Sequence, residues 1–188
     1  KAVLLINDGQ QNFEKRVLVS GTPRISDMQP GDLDGDGDID FGLAMFGWRT
    51  TGAVAWLEQV TAEEFKLHTI AEINGTMHME LADLDGDGLL DLVVLVSQQH
   101  EMILCFKYMG GGKFEHLRIS EHEHPTFGMT GLQVVALDQD ADLDIRYSTG
   151  ELMDGEPLLK PHHGIHCTAH RRNLYFLSQT QTYNTRHI

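Results

Sequence analysis

The feature that most restricts this chain is a short acidic string that returns on a fixed period. It reads DLDGDGDID from Asp32 to Asp40, DLDGDGLLD from Asp83 to Asp91 and ALDQDADLD from Ala136 to Asp144, with starts 51 and 53 residues apart. A second string keeps step with it. It reads NFEKRVL from Asn12, EFKLHTI from Glu64 and KFEHLRI from Lys113, with Phe13, Phe65 and Phe114 spaced by 52 and 49 residues. Two unrelated strings cycling together define an internal repeat, in which each unit buries its apolar surface against its neighbours.

Within each unit the pattern is β. The run LVVLV (Leu92 to Val96) is short, apolar and rich in β-branched residues, and MILCFKY, a Gly110 to Gly112 turn and FEHLRI follow it. The preceding unit has the same layout in FGLAMFGW, AVAWLEQV and FKLHTI, and no segment carries a long 3.6-residue amphipathic period. Several short strands in ~40–50 residues are the make-up of a four-stranded propeller blade. The chain is therefore expected to be all-β, a β-propeller or propeller segment of about 3–4 four-stranded blades with ~51-residue repeats. It reads as a single domain over 1–188, with repeat loops at 32–40, 83–91 and 136–144. The 188 residues supply roughly 3.7 units against the ~4–8 blades of closed rings. AVLLINDG and FEKRVL at the start read as the later strands of a blade, so a segment of a larger ring is expected ahead of a four-bladed ring closed by its own ends.

Charge narrows the partners. Fourteen Lys and Arg against 28 Asp and Glu give a net charge of −14, which repels phosphate backbones and anionic lipid, so no nucleic acid partner is expected. No run approaches the ~18–20 apolar residues of a membrane-spanning helix, so no membrane insertion is expected. Thirteen of the 28 acids fall in the three windows, where carboxylates two residues apart repel one another unless a cation sits among them.

The spacing of those carboxylates suits a single ion. Positions 1, 3, 5 and 9 can curl round it, with the carbonyl at position 7 as a further ligand, and hard oxygen donors in that number favour Ca²⁺. Position 6 must turn sharply, and Gly37 and Gly88 stand there. The expected ligands are Asp32, Asp34, Asp36 and Asp40 with the Asp38 carbonyl, then Asp83, Asp85, Asp87 and Asp91 with the Leu89 carbonyl. The third window has Ala136 for the first Asp and Ala141 for the glycine, leaving Asp138, Asp140 and Asp144 with the Asp142 carbonyl as a weaker third site. Three divalent ions would bring the net charge to −8. An EF-hand is rejected, because position 12 is Leu43 or Val94 rather than Glu and the windows run into strands.

The D-x-D-G-D-G-x-x-D loops running into a strand, with Phe41-Gly42 after the first, resemble the FG-GAP/VCBS repeats of β-propellers such as the integrin α-subunit head. The wider frame (AWLEQ, FKLHTI, ELADLDGDGLLDLVV, SQQHE, FEHLRIS and HHGI) resembles bacterial secreted proteins of that family to about Ile165. The resemblance implies an extracytoplasmic, calcium-stabilised propeller (periplasmic, secreted or on the cell surface) that binds or scaffolds. A protein or glycan ligand is expected, with other subunits as an alternative. Propellers host many unrelated functions, so the fold alone names no ligand.

Other chemistry is sparse. His162, His166 and His170 beside His163 and Cys167 have a spacing that suits Zn²⁺ or Cu²⁺ on a helix, but Pro161 and Gly164 argue against one, and surface histidines are the simpler reading. Glu121, His122, Glu123 and His124 before Pro125 read as an exposed loop. Cys105, in an apolar run, is expected to be a buried free thiol, although one bridge to Cys167 is open to it. There is no nucleophile elbow, phosphate-cradling loop or His-Glu-x-x-His, so no enzymatic activity is expected. A polysaccharide-binding or polysaccharide-cleaving propeller is the first alternative. A carboxylate pair could cleave and the rings of Trp48, Trp56 and Tyr108 could stack on sugars, but carboxylates at loop spacing are better used as metal ligands and rings near blade strands more often pack. An accessory subunit of a larger extracytoplasmic complex is the second.

Overall fold

The structure is a computed structural model that describes residues 1–48, 50–98, 101–122, 129–137 and 143–148. Asp138, Asp140 and Asp142 of the third window, the histidines at 162–170 and Cys167 lie outside the described residues. The described strands, in chain order, are β1 (Ala2–Asn7), β2 (Phe13–Val19), β3 (Ile25–Gly31), β4 (Asp40–Met45), β5 (Ala53–Gln59) and β6 (Phe65–Ala71). They continue as β7 (Thr76–Ala82), β8 (Asp91–Val96), β9 (Glu101–Tyr108), β10 (Phe114–His122), β11 (Gly131–Val135) and β12 (Asp144–Ser148).

Two complete four-stranded antiparallel meanders form, β3-β4-β5-β6 and β7-β8-β9-β10, with two-stranded sheets β1-β2 before them and β11-β12 after them. This is the all-β, blade-like architecture that the repeat predicts. Gly31 pairs with Asp40 in the first meander and Ala82 with Asp91 in the second, so equivalent residues recur 51 positions apart. The N-terminal pair β1-β2 has the antiparallel arrangement of β5-β6, as the reading of AVLLINDG and FEKRVL expects.

The sheets stack face to face in chain order, which explains why the second strand of each is apolar throughout. Every residue of β4 and of β8 is buried. A strand covered on both faces has no solvent side, so its apolar residues run on instead of alternating with polar ones. Phe41, Leu43 and Met45 point back to Ala2, Leu4 and Leu18 of the first sheet, while Ala44 joins Met79, Leu92, Val94, Leu104 and Phe106 of the next. One unit later the faces repeat: Leu92 and Val94 point back, and Val93 and Leu95 meet Leu132 and Ile145. β3 lies against β7, and β7 against β11, which aligns the first strands of successive units.

Gly42, the second residue of the Phe-Gly pair, lies at one of these close approaches. A Cβ there would stand 2.5 Å from the Met79 sulfur and 3.2 Å from Leu81 Cδ2. Polar links also cross between units. Asp27 Oδ2 accepts the Met79 N–H at 2.9 Å and faces His78 Nδ1 at 3.1 Å, and the Ser26 hydroxyl donates to the Thr76 carbonyl at 2.7 Å.

Two details settle smaller expectations. Cys105 is a buried free thiol, and burial pushes its pKa up to about 12, so it carries no thiolate reactivity at neutral pH. The expected exposed loop at 121–124 is corrected at its start. Glu121 and His122 pair with Met102 and Glu101 at the end of β10, because backbone pairing with β9 carries the strand on past a register shift between Arg118 and Ser120.

Candidate metal loops

Each acidic window joins the first strand of a sheet to the second, β3 to β4, β7 to β8 and β11 to β12. The loops fold on their own carboxylates. Asp32 Oδ1 accepts the Gly35 N–H at 2.8 Å and its Oδ2 accepts the Gly37 N–H at 3.0 Å. In the second loop Asp83 Oδ1 accepts the Gly86 N–H at 2.7 Å, and Oδ2 accepts the Gly88 N–H at 2.9 Å. These bonds wind the chain round the first carboxylate, and the winding requires left-handed backbone at positions 4 and 6. Gly35 and Gly37 have φ of 82° and 94°, and Gly86 and Gly88 have 77° and 88°. A Cβ at Gly35, Gly37 or Gly88 would meet nothing within 4 Å, so conformation and not crowding demands glycine there. Sequence reasoning identified position 6 but not position 4.

The ninth residue is a buried clamp. Asp40 Oδ2 accepts the Leu33 N–H at 3.1 Å, Asp91 Oδ2 the Leu84 N–H at 3.2 Å, and Asp144 Oδ2 the Leu137 N–H at 2.9 Å. In the complete sheets the other oxygen binds the end of the third strand: Asp40 Oδ1 accepts from Gln59 N–H at 2.8 Å and Asp91 Oδ1 from Tyr108 N–H at 3.0 Å. Leu33, held by its N–H in this way, drives its side chain into the core between the two four-stranded sheets.

The carboxylates converge on two points. Ligand oxygens of Asp32, Asp34 and Asp40 lie within 4.8 Å of one another, and so do those of Asp83, Asp85 and Asp87. Asp36 is outside the first trio and Asp91 outside the second. Asp36 Oδ1 accepts the Asp38 N–H at 2.8 Å, and Asp87 Oδ1 accepts the Leu89 N–H at 2.9 Å, which fixes the backbone at position 7. Of the third window's expected ligands, Asp144 is described and is buried.

All-oxygen donor sets of this density fit a hard divalent cation, and Ca²⁺ accepts such irregular geometry more readily than Mg²⁺. The electrostatics point the same way. Asp34 is raised above the usual carboxylate range by burial, with Asp40, Asp36 and Asp32 adding to the rise. Burial likewise raises Asp40, and it pushes Asp91 up to about 6 against the lowering effect of the Tyr108 and Leu84 N–H groups. Such groups gain from a cation nearby.

One cation is supplied by the chain itself. Lys107, on β9, ion-pairs with Asp85 and stands 3.5 Å from Asp87 Oδ2. The hydrogen bond that Lys107 donates to Asp85 raises the Lys107 pKa above the ordinary lysine value. Sequence reasoning missed this residue. The available signal was a charge reversal: the Gln59 and Tyr108 bonds to the clamps make these two equivalent, so Lys107 occupies the position of Glu58. The sugar-stacking alternative loses two of its three rings, since Trp56 and Tyr108 are buried and Trp48 alone is exposed.

Residues 83–145 match the family model described as FG-GAP-like repeat. The stretch from the second acidic loop through β8, β9, β10 and β11 to Ile145 is thus an FG-GAP-like repeat, in agreement with the resemblance read from the sequence. No curated protein and no solved structure matches the chain.

The Asp91 shift gives a pH dependence of fixed sign. Between about pH 4 and 6 the metal-free folded chain keeps on Asp91 a proton that the unfolded chain has released. The folded state binds more protons in that window, so stability falls as pH rises through it. In chelator, urea melts from pH 4 to pH 7 are expected to show an Asp91 contribution of up to about 3 kcal/mol, at roughly 1.4 kcal/mol per pKa unit. Asp91→Asn should flatten that contribution, and bound calcium should suppress it by favouring the carboxylate. A profile unchanged by the substitution would place the dependence on other groups.

Proposed function

We propose that this chain is a calcium-stabilised binding or scaffolding module that works outside the cytoplasm, with the ions in a structural role. The observation that carries the reading is the repetition of a carboxylate trio in equivalent loops, Asp32, Asp34 and Asp40 in one and Asp83, Asp85 and Asp87 in the next. An ion there would neutralise carboxylates that repel one another and would brace the connection between the first two strands of each sheet. Asp34 and Asp40, or Asp85 and Asp87, would hold it together with the first Asp of the loop.

The face of β1-β2 turned away from the second sheet exposes Leu5, Phe13 and Val17, the kind of apolar face that a further unit covers in a stacked array. The proposed ligand is a protein or a glycan.

Calcium titration by calorimetry in low salt tests the reading. Two ions per chain are expected at the described loops, with one lost in Asp34→Asn and the other in Asp85→Asn. Asparagine keeps the local hydrogen-bond acceptor while removing the charge, so loop folding is preserved. Absence of calcium binding to the wild-type chain would refute the proposal.

A further inference from the structure

We propose that Lys107 is a built-in counter-cation of the second loop, one that an incoming divalent ion must displace, so that the two loops differ in calcium affinity although their sequences are nearly alike. The inference rests on the calcium reading above and goes beyond it in assigning a specificity-determining residue.

The two loops share their first six residues, their paired left-handed glycines and their ninth-position clamp. They differ in what the third strand presents to them. At the position preceding the clamped N–H, β5 carries Glu58 and β9 carries Lys107. Glu58 is engaged away from the first loop, with His68 Nε2 at 2.5 Å and Lys66 Nζ at 3.9 Å. Among the described residues no Lys or Arg pairs with any carboxylate from Asp32 to Asp40. Lys107 instead reaches two of the three carboxylates of the second trio, and its side chain is only 19% exposed.

The consequence is competition. An ammonium beside Asp85 and Asp87 neutralises part of the charge that would attract Ca²⁺ and occupies oxygen lone pairs that would ligate it. Its flexible four-carbon stem allows it to leave, but departure costs the ion pair, and an ammonium that stays nearby repels a divalent ion. The first loop offers its full charge to an external ion. The second loop is part-satisfied without one, which keeps its sheet ordered when calcium is scarce.

The test uses the full chain carrying Asp34→Asn, so that calorimetry reads the second loop alone. Adding Lys107→Met is expected to tighten calcium binding about tenfold or more in low salt, with the gain shrinking at 1 M NaCl as charges are screened. In chelator the same substitution should lower the melting temperature, because the loop loses the one cation that pairs with it among the described residues. Lys107→Gln, which keeps length and polarity, should act in the same directions, so the outcome does not hang on one variant's folding. The reciprocal Glu58→Lys, with Asp85→Asn silencing the second loop, should weaken the first. If the wild type binds two ions and the Lys107 variants leave the second affinity unchanged, the role of Lys107 is overturned and the calcium reading survives. If no variant and no wild-type chain binds calcium, both are overturned.

Discussion

Adding calcium to the chelated protein is expected to raise its melting temperature by about 10–20 °C. A ligand at a hundred times its Kd stabilises the folded state by ~2.7 kcal/mol per site, so two loops contribute about 5 kcal/mol. For a chain of this size each kcal/mol moves the midpoint by ~2–4 °C. Magnesium at the same concentration should give a much smaller rise, because it demands octahedral geometry at ~2.0–2.1 Å and gives up its waters reluctantly. Asp36→Ala and Asp87→Ala should lower the midpoint in calcium and much less in chelator. Equal losses in both conditions would remove those two residues from the ligand set. Asp36 lies outside the first trio, so Asp34→Asn should cost more than Asp36→Ala. Equal costs would mean that the loop closes further round the ion.

The second large effect lies in the core between the two complete sheets. Trp56 is 4% exposed on β5, stacks on His68 of its own sheet with ring centroids 4.8 Å apart, and meets the edges of Tyr108 and Phe114 from the next sheet at 6.3 and 6.5 Å. Replacing it with alanine removes contacts on both sides and leaves a cavity where two sheets meet. Trp56→Ala is expected to cost ~3–5 kcal/mol, in calcium and in chelator alike, because the loss is one of packing. Trp48 is 69% exposed, and Trp48→Ala should stay within about 0.5 kcal/mol. Urea melts of the two variants measure the contrast. Since the chain has two tryptophans, Trp48→Phe leaves Trp56 as the sole indole reporter on that interface. Comparable losses from the two substitutions would contradict the packing described here.

The fold was legible because its signals are local and periodic. LVVLV announces a strand, and the Asp-rich loops with their glycines announce a turn that leads into one. The two strings on one period give the unit without any knowledge of what touches what. The rest depends on contacts between units. Asp27 accepting the Met79 N–H joins residues 52 apart, and neither type nor spacing singles out that pair. Gly42 looks like a mere motif letter until the Met79 side chain is seen filling the space its own would take. The site divides in the same way. Spacing found the carboxylates but treated position 9 as a ligand only, whereas burial and two backbone donors make it a structural clamp as well. Lys107 stayed hidden because a lone lysine on a strand reads as surface until the strand is laid beside the loop. The end of β10 was misjudged because alternating Glu and His look solvated, while strand length there is set by pairing with β9.

The ninth-position clamp bears on how an array of this kind diverges. In the third unit the first carboxylate is replaced by Ala136, yet Asp144 still takes the Leu137 N–H at 2.9 Å. The bond that ties the start of the loop to the second strand therefore does not depend on the first carboxylate of the same nine residues. On the proposed calcium reading, ion dependence can differ from unit to unit while that tie is kept.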